Sequence, residues 1–351
     1  MSGKRIAILV AGLPPLCNGG TEIATVAIAQ HAAKKHEVHV IAATSEKGEY
    51  KIPGVTVHTV KTVNARYFYG LFFVPGAVRA ILKVKPDVIH AQGTQMALAA
   101  FVASKLTGIP YIFYGRGEIY TKWFGKRFIS GILMNEADRI IAQTVDMAEE
   151  MGLYTFRNIE VIPNGIDLER FDNGFTSKSN YLKVAVAVGR ARPEKNLTCF
   201  VDAIKYLVNE LHFEHVMGCI IGDGEQIPML KKRAEGANIK FVGAMDNSLI
   251  PQALRSADIL VNTSLSEGFP MAVLEAYASG LPVVVPNICG MKEIVTNKVN
   301  GFLYQPDNYR ACAMSILEIF NKPKMAAYFS RNNLERVKRY SWDNVVERLY
   351  G

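Results

Sequence analysis

The chain has 351 residues, of which 49% are hydrophobic and 21% are charged, a balance typical of a folded globular protein. This length exceeds what one ordinary hydrophobic core supports, so about two domains are expected. The net charge of +8 leaves nucleic acids, membrane surfaces and phosphorylated substrates open as partners. No run of about 18 apolar residues occurs, which argues against a membrane-spanning helix, and the short apolar stretch at Met96–Ala103 predicts a buried helix.

The cysteines and the N-terminus indicate a cytoplasmic protein. Five cysteines, an odd number, are scattered at positions 17, 199, 219, 289 and 312 without a C-x-x-C pair. This spacing argues against a disulfide framework or a zinc site. The apolar stretch after Lys4-Arg5 is too short for a signal peptide, so it predicts a first buried strand instead.

Short apolar runs alternate with helical patterns along the chain, which predicts parallel sheets covered by helices. In the first series we expect a helix at Thr21–Lys34 and strands at Arg5–Val10, Glu37–Ala43, Asp87–Ala91, Tyr111–Tyr114, Arg139–Ala142 and Glu160–Ile162. In the second series we expect a helix at Leu197–Asn209 and strands at Val184–Val188, Met217–Ile221, Lys240–Val242, Ile259–Asn262 and Pro282–Val285.

Turn and linker residues separate the two series. Pro163-Asn164-Gly165 and the polar stretch Asn173–Asn180 have the composition of a domain junction. The fold class predicted is therefore α/β, with two Rossmann-like domains that face each other across a cleft. Ligands of such domains bind at the carboxyl ends of the strands.

The first candidate motif is Asn18-Gly19-Gly20-Thr21-Glu22, which follows the first strand and opens a helix. Glycines let a phosphate approach backbone N–H groups, and a helix N-terminus adds partial positive charge. The motif is not G-x-G-x-x-G, so the dinucleotide fingerprint of hydride-transfer enzymes is absent. A plain strand-to-helix turn is the alternative interpretation.

The second motif, Val188 to Asn196, follows the first strand of the second series and contains Arg190 and Lys195. At a strand end these cations can converge on a diphosphate, because arginine offers a planar fork and lysine a compact point charge. Basic residues on a surface loop are also commonly just solvated.

The third motif, Ser264 to Ala276, places Glu267 in a loop and Glu275 within a helix that Pro270 begins. Two carboxylates near a helix N-terminus can accept hydrogen bonds from sugar hydroxyls, while free N–H groups at Gly268 to Met271 bind phosphate. The alternative is an acidic residue that favours the helix dipole beside a solvated glutamate.

These motifs together resemble the family 4 retaining glycosyltransferases, which have the GT-B fold. The resemblance rests on the E-x7-E spacing of Glu267 and Glu275, the Gly-Arg…Lys segment at 189–195 and the Gly-Gly loop at 19–20. Further matches are Ile162–Asp167, Gly222–Gly224, Phe241–Gly243 and Tyr340-Ser341-Trp342, so that almost the whole chain is covered.

The resemblance implies roles for the matching positions. It makes residues 1–165 an acceptor-binding domain, 166–335 a nucleotide-sugar-binding domain and 336–351 a helix that crosses back to the first domain. Arg190 and Lys195 would neutralise the donor diphosphate, Glu267 would contact the donor sugar, and Glu275 would bind the ribose. The remaining donor-binding positions implied are Gly19, Gly20, Val242, Gly243, Gly268, Phe269, Pro270 and Met271.

One position departs from the family pattern. Many members have His-Gly after the strand that here continues as Gly115-Arg116-Gly117, so Arg116 occupies the histidine position. An arginine cannot act as a base at neutral pH, so Arg116 is predicted to bind a hydroxyl or a phosphate of the acceptor. His90, at the end of its own strand, is either a second acceptor ligand or a core histidine with its partners inside the fold.

No Asp-x-Asp pair and no His/Cys cluster with metal spacing occur, so no metal or other cofactor is expected. Arg190, Lys195 and helix N-termini would then stabilise the departing diphosphate, which predicts a retaining, metal-independent transfer.

Two basic and aromatic segments concern the acceptor. From Tyr50 to Pro86 there are six Lys or Arg and no acidic residue, and both Ala65–Val74 and Tyr120–Phe128 are rich in aromatics. Such segments can lie on an anionic membrane or accept phosphorylated lipids, which suggests a peripheral enzyme at the inner face of the cell membrane with a lipid-linked or envelope glycan acceptor. Aromatics in the core with lysines in water are the alternative.

Two other function classes stay open, a sugar-nucleotide epimerase on the same fold and a non-catalytic nucleotide-sugar-binding protein. Binding to nucleic acid is not expected, because no helix face carries a basic stripe.

Overall fold

A computed structural model describes residues 3–14, 17, 20–44, 50–62, 69–116, 124–171 and 181–351. The chain folds as two compact units, Met1–Gly165 together with Trp342–Gly351, and Ile166–Ser341. The predicted linker at Asn173–Asn180 lies outside the described residues.

The first unit is a parallel sheet covered by helices. Its described strands are β1 (Arg5–Val10), β2 (Glu37–Thr44), β3 (Thr56–Lys61), β4 (Val88–Gln92), β5 (Tyr111–Tyr114), β6 (Arg139–Ala142) and β7 (Ile159–Val161). Its described helices are α1 (Gly20–Ala32), α2 (Tyr69–Val84), α3 (Thr94–Thr107), α4 (Phe124–Glu136), α5 (Val145–Gly152) and the closing helix (Trp342–Tyr350). The strands lie in the order β3-β2-β1-β4-β5-β6-β7, and every neighbouring pair is parallel.

Burial on both faces explains the apolar runs of this sheet. Ile6 to Val10 in the central strand β1 are fully buried, as expected of a parallel strand with helices on both sides. One face carries α2 and α3, and the other carries α1 and the closing helix. Gly165 allows the Trp342 ring at the start of the closing helix to pack against the backbone, because a Cβ at position 165 would lie 2.6 Å from that ring.

The second unit repeats the architecture. Its strands are β8 (Lys183–Val188), β9 (Val216–Ile221), β10 (Ile239–Gly243), β11 (Ile259–Val261), β12 (Val283–Pro286) and β13 (Gly301–Tyr304). Its helices are α6 (Leu197–Asn209), α7 (Ile227–Arg233), α8 (Ile250–Arg255), α9 (Met271–Ala278), α10 (Met291–Ile294), α11 (Tyr309–Asn321) and α12 (Pro323–Val337). The described strands form a parallel sheet in the order β10-β9-β8-β11-β12-β13.

The two strand orders confirm the predicted Rossmann-like class. In each unit the order reverses beside the first strand, at β1/β4 and at β8/β11, which is where doubly wound sheets bind ligands. The predicted strands are all present, with ends that differ by at most one residue. The strands β3 and β13 were not predicted. Strand β3 lies at the edge of its sheet and has only one buried residue.

Candidate functional site

The carboxyl ends of β8, β9 and β10 are joined by their backbones. Gly189 donates to Ile221 O at 3.0 Å, and Ala191 donates to Asp223 O at 2.9 Å. Gly222, with φ +139°, approaches so closely that a Cβ there would overlap the carbonyl oxygen of Gly189. Only glycine fits this position, so the glycine of the Gly-Asp-Gly segment fixes the loop that carries Arg190.

Lys195 and Glu267 meet at this sheet edge. Lys195 Nζ lies 2.5 Å from Glu267 Oε1, and Ser264 Oγ donates to the same oxygen at 2.7 Å. The pair is mostly buried, with 29% of the lysine side chain and 12% of the glutamate side chain exposed. The structure thus brings together the cation of the second motif and the first carboxylate of the third motif.

Two further hydrogen bonds hold these loops against each other. Leu265 N donates to Glu194 O at 2.8 Å, and Thr263 Oγ1 donates to Lys195 O at 2.9 Å. The loop after β11 is supported in turn by Asn262, whose Oδ1 accepts from Ser264 N. These contacts fix the backbone on both sides of the ion pair.

The ion pair keeps unused hydrogen-bonding capacity. An ammonium has three donors and a carboxylate accepts at two oxygens. Among the described residues Lys195 uses one donor, and Glu267 Oε2 receives no hydrogen bond. The cluster can therefore bind an anion through Lys195 and a hydroxyl through Glu267 without breaking the pair. Arg190 is exposed on the same loop, directly after Gly189.

The start of helix α9 differs from the expectation in one respect. The N–H group of Met271, predicted to be free, donates to Phe269 O at 3.0 Å because the chain turns tightly around Pro270. The N–H groups of Gly268 and Phe269 have no acceptor among the described residues. Two donors, and not the full run, are therefore available before this helix.

Glu275 lies one turn into α9 in a poorly solvated position. Burial raises the pKa of this carboxyl to about 7, and the charge of Arg170 opposes that shift. Arg170 itself donates to Asn247 O, so it does not form an ion pair with Glu275 within the described chain. A carboxylate that lacks a donor in the free protein is suited to accept one from a ligand hydroxyl.

Val242 and Gly243, two of the predicted donor-binding residues, lie at the end of β10. Gly243, with φ +83°, accepts a hydrogen bond from Gly222 N at 2.8 Å, and Val242 is 37% exposed. Gly222 therefore connects the end of β10 to the loop that carries Arg190.

In the first unit, Gly20 begins helix α1, and a Cβ there would meet no atom within 4 Å. Gly19 lies outside the described residues, so its predicted role stays a prediction.

Arg116 is 3% exposed at the carboxyl edge of the first sheet. Its Nε donates to Gln92 Oε1 at 2.6 Å, its Nη1 donates to Asn164 Oδ1 at 2.7 Å, and its guanidinium stacks 4.1 Å from the Tyr114 ring. Burial lowers the pKa of the Arg116 guanidinium, although arginine remains charged in proteins. The local sequence around Arg116 does not mark Gln92 and Asn164 as its partners, because they lie 24 and 48 residues away.

His90 is fully buried, and its Nδ1 lies 2.5 Å from the hydroxyl of Tyr350 on the closing helix. Burial, with the charges of Arg116 and Arg139, lowers the pKa of His90 to about 3, so the ring is neutral. The Nδ1 atom therefore has a partner inside the fold, as expected of a core histidine, whereas Nε2 has no hydrogen-bond partner among the described residues. The acceptor role of His90 stays a prediction.

Within the part of the chain that the structure describes, no three His, Cys, Asp or Glu side chains form a group that could hold a metal ion. The same part contains no helix both long enough and apolar enough to span a bilayer.

Two family models match the chain side by side. The model described as Glycosyltransferase Family 4 matches residues 18–170, and the model described as Glycosyl transferases group 1 matches residues 168–336. The boundary between the two matches falls at the boundary of the two units.

Two relatives are similar over most of the chain. The UDP-Gal:alpha-D-GlcNAc-diphosphoundecaprenol alpha-1,3-galactosyltransferase of Escherichia coli is 28% identical over 77% of this chain and 75% of its own length. The GDP-mannose-dependent alpha-mannosyltransferase of Mycobacterium tuberculosis is 26% identical over the full chain and 96% of its own length.

Solved structures share the fold. The Anabaena protein HepE, crystallised in complex with UDP-glucose, superposes with a TM-score of 0.79 over 99% of this chain and 98% of its own, at 20% identity. The chain has two Rossmann-like sheets and a Lys195–Glu267 pair at the carboxyl end of a strand. The two family models match one unit each. The chain therefore belongs to the family 4 glycosyltransferases of GT-B fold.

Proposed function

We propose that this glycosyltransferase moves a sugar from a nucleoside-diphosphate sugar to a hydroxyl of an acceptor, with retention of anomeric configuration and without a metal ion. Arg190 and Lys195 bind the diphosphate, Glu267 binds the sugar and Glu275 binds the ribose. The backbone at Gly268–Phe269 and the β10 end at Val242–Gly243 complete the donor site.

The contact between Lys195 and Glu267 is the observation that carries this proposal. It places a cation with two unused donors beside a carboxylate with one unused oxygen, at the edge where parallel sheets bind ligands. A nucleotide sugar presents a diphosphate next to sugar hydroxyls, which is the matching arrangement of charge and donors.

Charge stabilisation supports a metal-independent reaction. Departure of a nucleoside diphosphate develops about two negative charges, which preorganised cations and N–H groups can stabilise by several kcal/mol. Arg190, Lys195 and the two unpaired amides before α9 supply such groups at one sheet edge. Attack from the face of the departing group, within an ion pair, then gives retention.

A membrane-proximal, lipid-linked acceptor is favoured by a basic groove in the first unit. Between β3 and α2 the structure has a groove of about 630 Å³ whose lining includes Lys61, Arg79, Lys83, His58 and the 47% exposed Phe72, and no acidic residue. Cations beside an exposed aromatic suit an anionic lipid surface. The similar Escherichia coli enzyme is named for a diphosphoundecaprenol acceptor. The predicted segments Ala65–Val74 and Tyr120–Phe128 lie partly outside the described residues.

The alternatives are separable by turnover. An epimerase would convert a nucleotide sugar without an acceptor, and a non-catalytic protein would bind it without turnover. Neither needs an acceptor site.

A donor screen tests the proposal. Melting temperature is measured with UDP-, GDP- and ADP-sugars, since a ligand at 100 times its Kd adds about 2.7 kcal/mol to stability. We expect stabilisation by one nucleotide class in the wild type. Stabilisation should fall sharply in Lys195→Ala, but it should persist in Lys322→Ala, which removes a surface lysine paired with Glu318. No stabilisation by any nucleotide sugar would contradict the proposal.

A further inference from the structure

We propose that Arg116 binds a phosphate group of the acceptor, and that Gln92 shares this contact. The proposal rests on the proposed transferase function and specifies its acceptor class, a hydroxyl compound that carries a phosphate.

The guanidinium of Arg116 is a buried charge that forms no ion pair with a described residue. Its hydrogen-bond partners, Gln92 and Asn164, are neutral amides, and its stacking partner Tyr114 is neutral as well. A buried charge is costly unless an opposite charge and hydrogen bonds compensate it. The two amides supply hydrogen bonds, but no negative charge.

Among the described carboxylates, Glu22 acts on the pKa of Arg116. The charges of the phenolic groups of Tyr114 and Tyr350 and that of Glu22 raise this pKa against the larger effect of burial. The hydrogen bonds of Arg116 nevertheless go to Gln92 and Asn164. Within the described residues, the charge of Arg116 is therefore not neutralised by an ion pair.

Two donors in this cluster have no partner among the described residues. Arg116 Nη2 and Gln92 Nε2 are both buried and have no hydrogen-bond partner, while the other polar atoms of the two side chains are bonded to each other and to Asn164. A phosphate accepts several hydrogen bonds and brings the missing negative charge. A sugar hydroxyl would satisfy a donor but would leave the charge uncompensated.

The position in the sheet is that of a ligand site. Gln92 ends β4, Arg116 follows β5 by two residues and Asn164 follows β7, so all three lie at the carboxyl edge of the first sheet. Ligands of such sheets bind at this edge. The donor diphosphate has its own cations, Arg190 and Lys195, in the second unit, so the phosphate at Arg116 is assigned to the acceptor.

The test measures how phosphate compounds change the melting temperature of the complete protein. Inorganic phosphate and glycerol 3-phosphate are compared with sodium chloride at equal ionic strength. We expect the phosphate compounds to raise the wild-type melting temperature by about 2–4 °C more than chloride does. Arg116→Gln should abolish this difference. Arg157→Gln, which removes an exposed arginine of the same unit outside the basic groove, should retain it.

Asn164→Asp provides a second variant that keeps the size of the side chain. It places a carboxylate 2.7 Å from Arg116 Nη1 and so supplies the missing charge from within. We expect this variant to melt at a higher temperature than the wild type without phosphate and to lose the phosphate response. A lower melting temperature with an intact phosphate response would overturn the proposal, even if Arg116→Gln failed to fold.

UDP, GDP and ADP, tested in turn, separate this proposal from the donor assignment. Arg116→Gln should keep the wild-type response to the nucleotide that binds, and loss of that response would overturn the acceptor assignment by placing donor phosphate at Arg116. Absence of a response to all three nucleotides in the wild type, with the phosphate response present, would contradict the proposed donor site and not the Arg116 site. An equal phosphate response in wild type and Arg116→Gln would reject the inference.

Discussion

Each unit has a cation at the carboxyl ends of its strands, and the two cations have different partners. In the second unit Lys195 lies 2.5 Å from the carboxylate of Glu267 and is 29% exposed. In the first unit Arg116 is 3% exposed and its hydrogen-bond partners are the neutral amides of Gln92 and Asn164. The paired lysine is oriented and compensated before any ligand arrives, whereas the described residues give the buried arginine hydrogen bonds but no ion pair. The first arrangement suits a reaction centre that must be preorganised. The second makes binding depend on the charge of the substrate.

The largest expected effect comes from removing the paired cation. Lys195→Ala should reduce turnover by on the order of a hundredfold or more, because the developing charge on the diphosphate loses a preorganised partner. Steady-state rates with the donor found in the screen measure this effect, and Lys322→Ala is the control. Turnover near the wild-type level in Lys195→Ala would remove the catalytic assignment.

The next effect tests whether backbone contacts between the ends of β8 and β9 stabilise the second unit. Gly222→Ala should lower the free energy of unfolding by about 1–3 kcal/mol from backbone strain alone, and by more because the new Cβ overlaps Gly189 O. Gly236→Ala is the control, since Gly236 has φ +81° but no atom within 4 Å of a Cβ. Chemical denaturation of both variants separates strain from overlap. Equal losses in the two variants would show that the close approach does not matter.

The raised pKa of Glu275 in helix α9 makes the stability of the protein depend on pH. Its pKa is about 7 in the folded protein and near 4.5 in the unfolded chain, so the folded state keeps a proton that the unfolded state has lost between these values. Stability should therefore fall as pH rises from about 4.5 to 7, with each unit of pKa difference worth about 1.4 kcal/mol before solvent screening.

Glu275→Gln should weaken this pH dependence, and Glu318→Gln, on the surface of α11, should not. Denaturation at pH 5 and pH 8 is the measurement. A pH dependence that is unchanged in Glu275→Gln would contradict the burial of this carboxyl.

The smallest effect concerns the neighbour of Arg116. Tyr350→Phe removes the hydroxyl that bonds to His90, which leaves a buried ring nitrogen unpaired and should cost about 1–3 kcal/mol of stability. The phosphate response of the variant should stay at the wild-type level, because the hydrogen bonds of Arg116 go to Gln92 and Asn164 and not to Tyr350. Loss of that response without loss of stability would return His90 to the acceptor site.

The sequence predicted the fold better than it predicted the surroundings of Arg116. Buried runs such as Val184–Val188 identify parallel strands because both faces of these sheets are covered. The edge strand Thr56–Lys61 was not predicted, because only one of its residues is buried. Glu267 and Lys195 could be named from the local sequence, since each lies in a motif that follows a strand, and the structure brings the two side chains together. Their roles with a donor stay predictions.

The surroundings of Arg116 could not be predicted in the same way. Its partners Gln92 and Asn164 come from two other strand ends, and nothing in the local sequence marks them as ligands of a guanidinium. The N–H group of Met271 was mispredicted because a backbone turn around Pro270 takes it up, which depends on dihedral angles and not on residue type.

Calorimetric titration with nucleoside diphosphates tests the central claim most directly, that the Lys195–Glu267 edge of the second unit holds the donor. With UDP, GDP and ADP in turn, we predict that the wild type binds one of them, that Lys195→Ala binds it at least tenfold more weakly, and that Arg116→Gln binds it as the wild type does. Equal affinity in the wild type and Lys195→Ala would contradict the account.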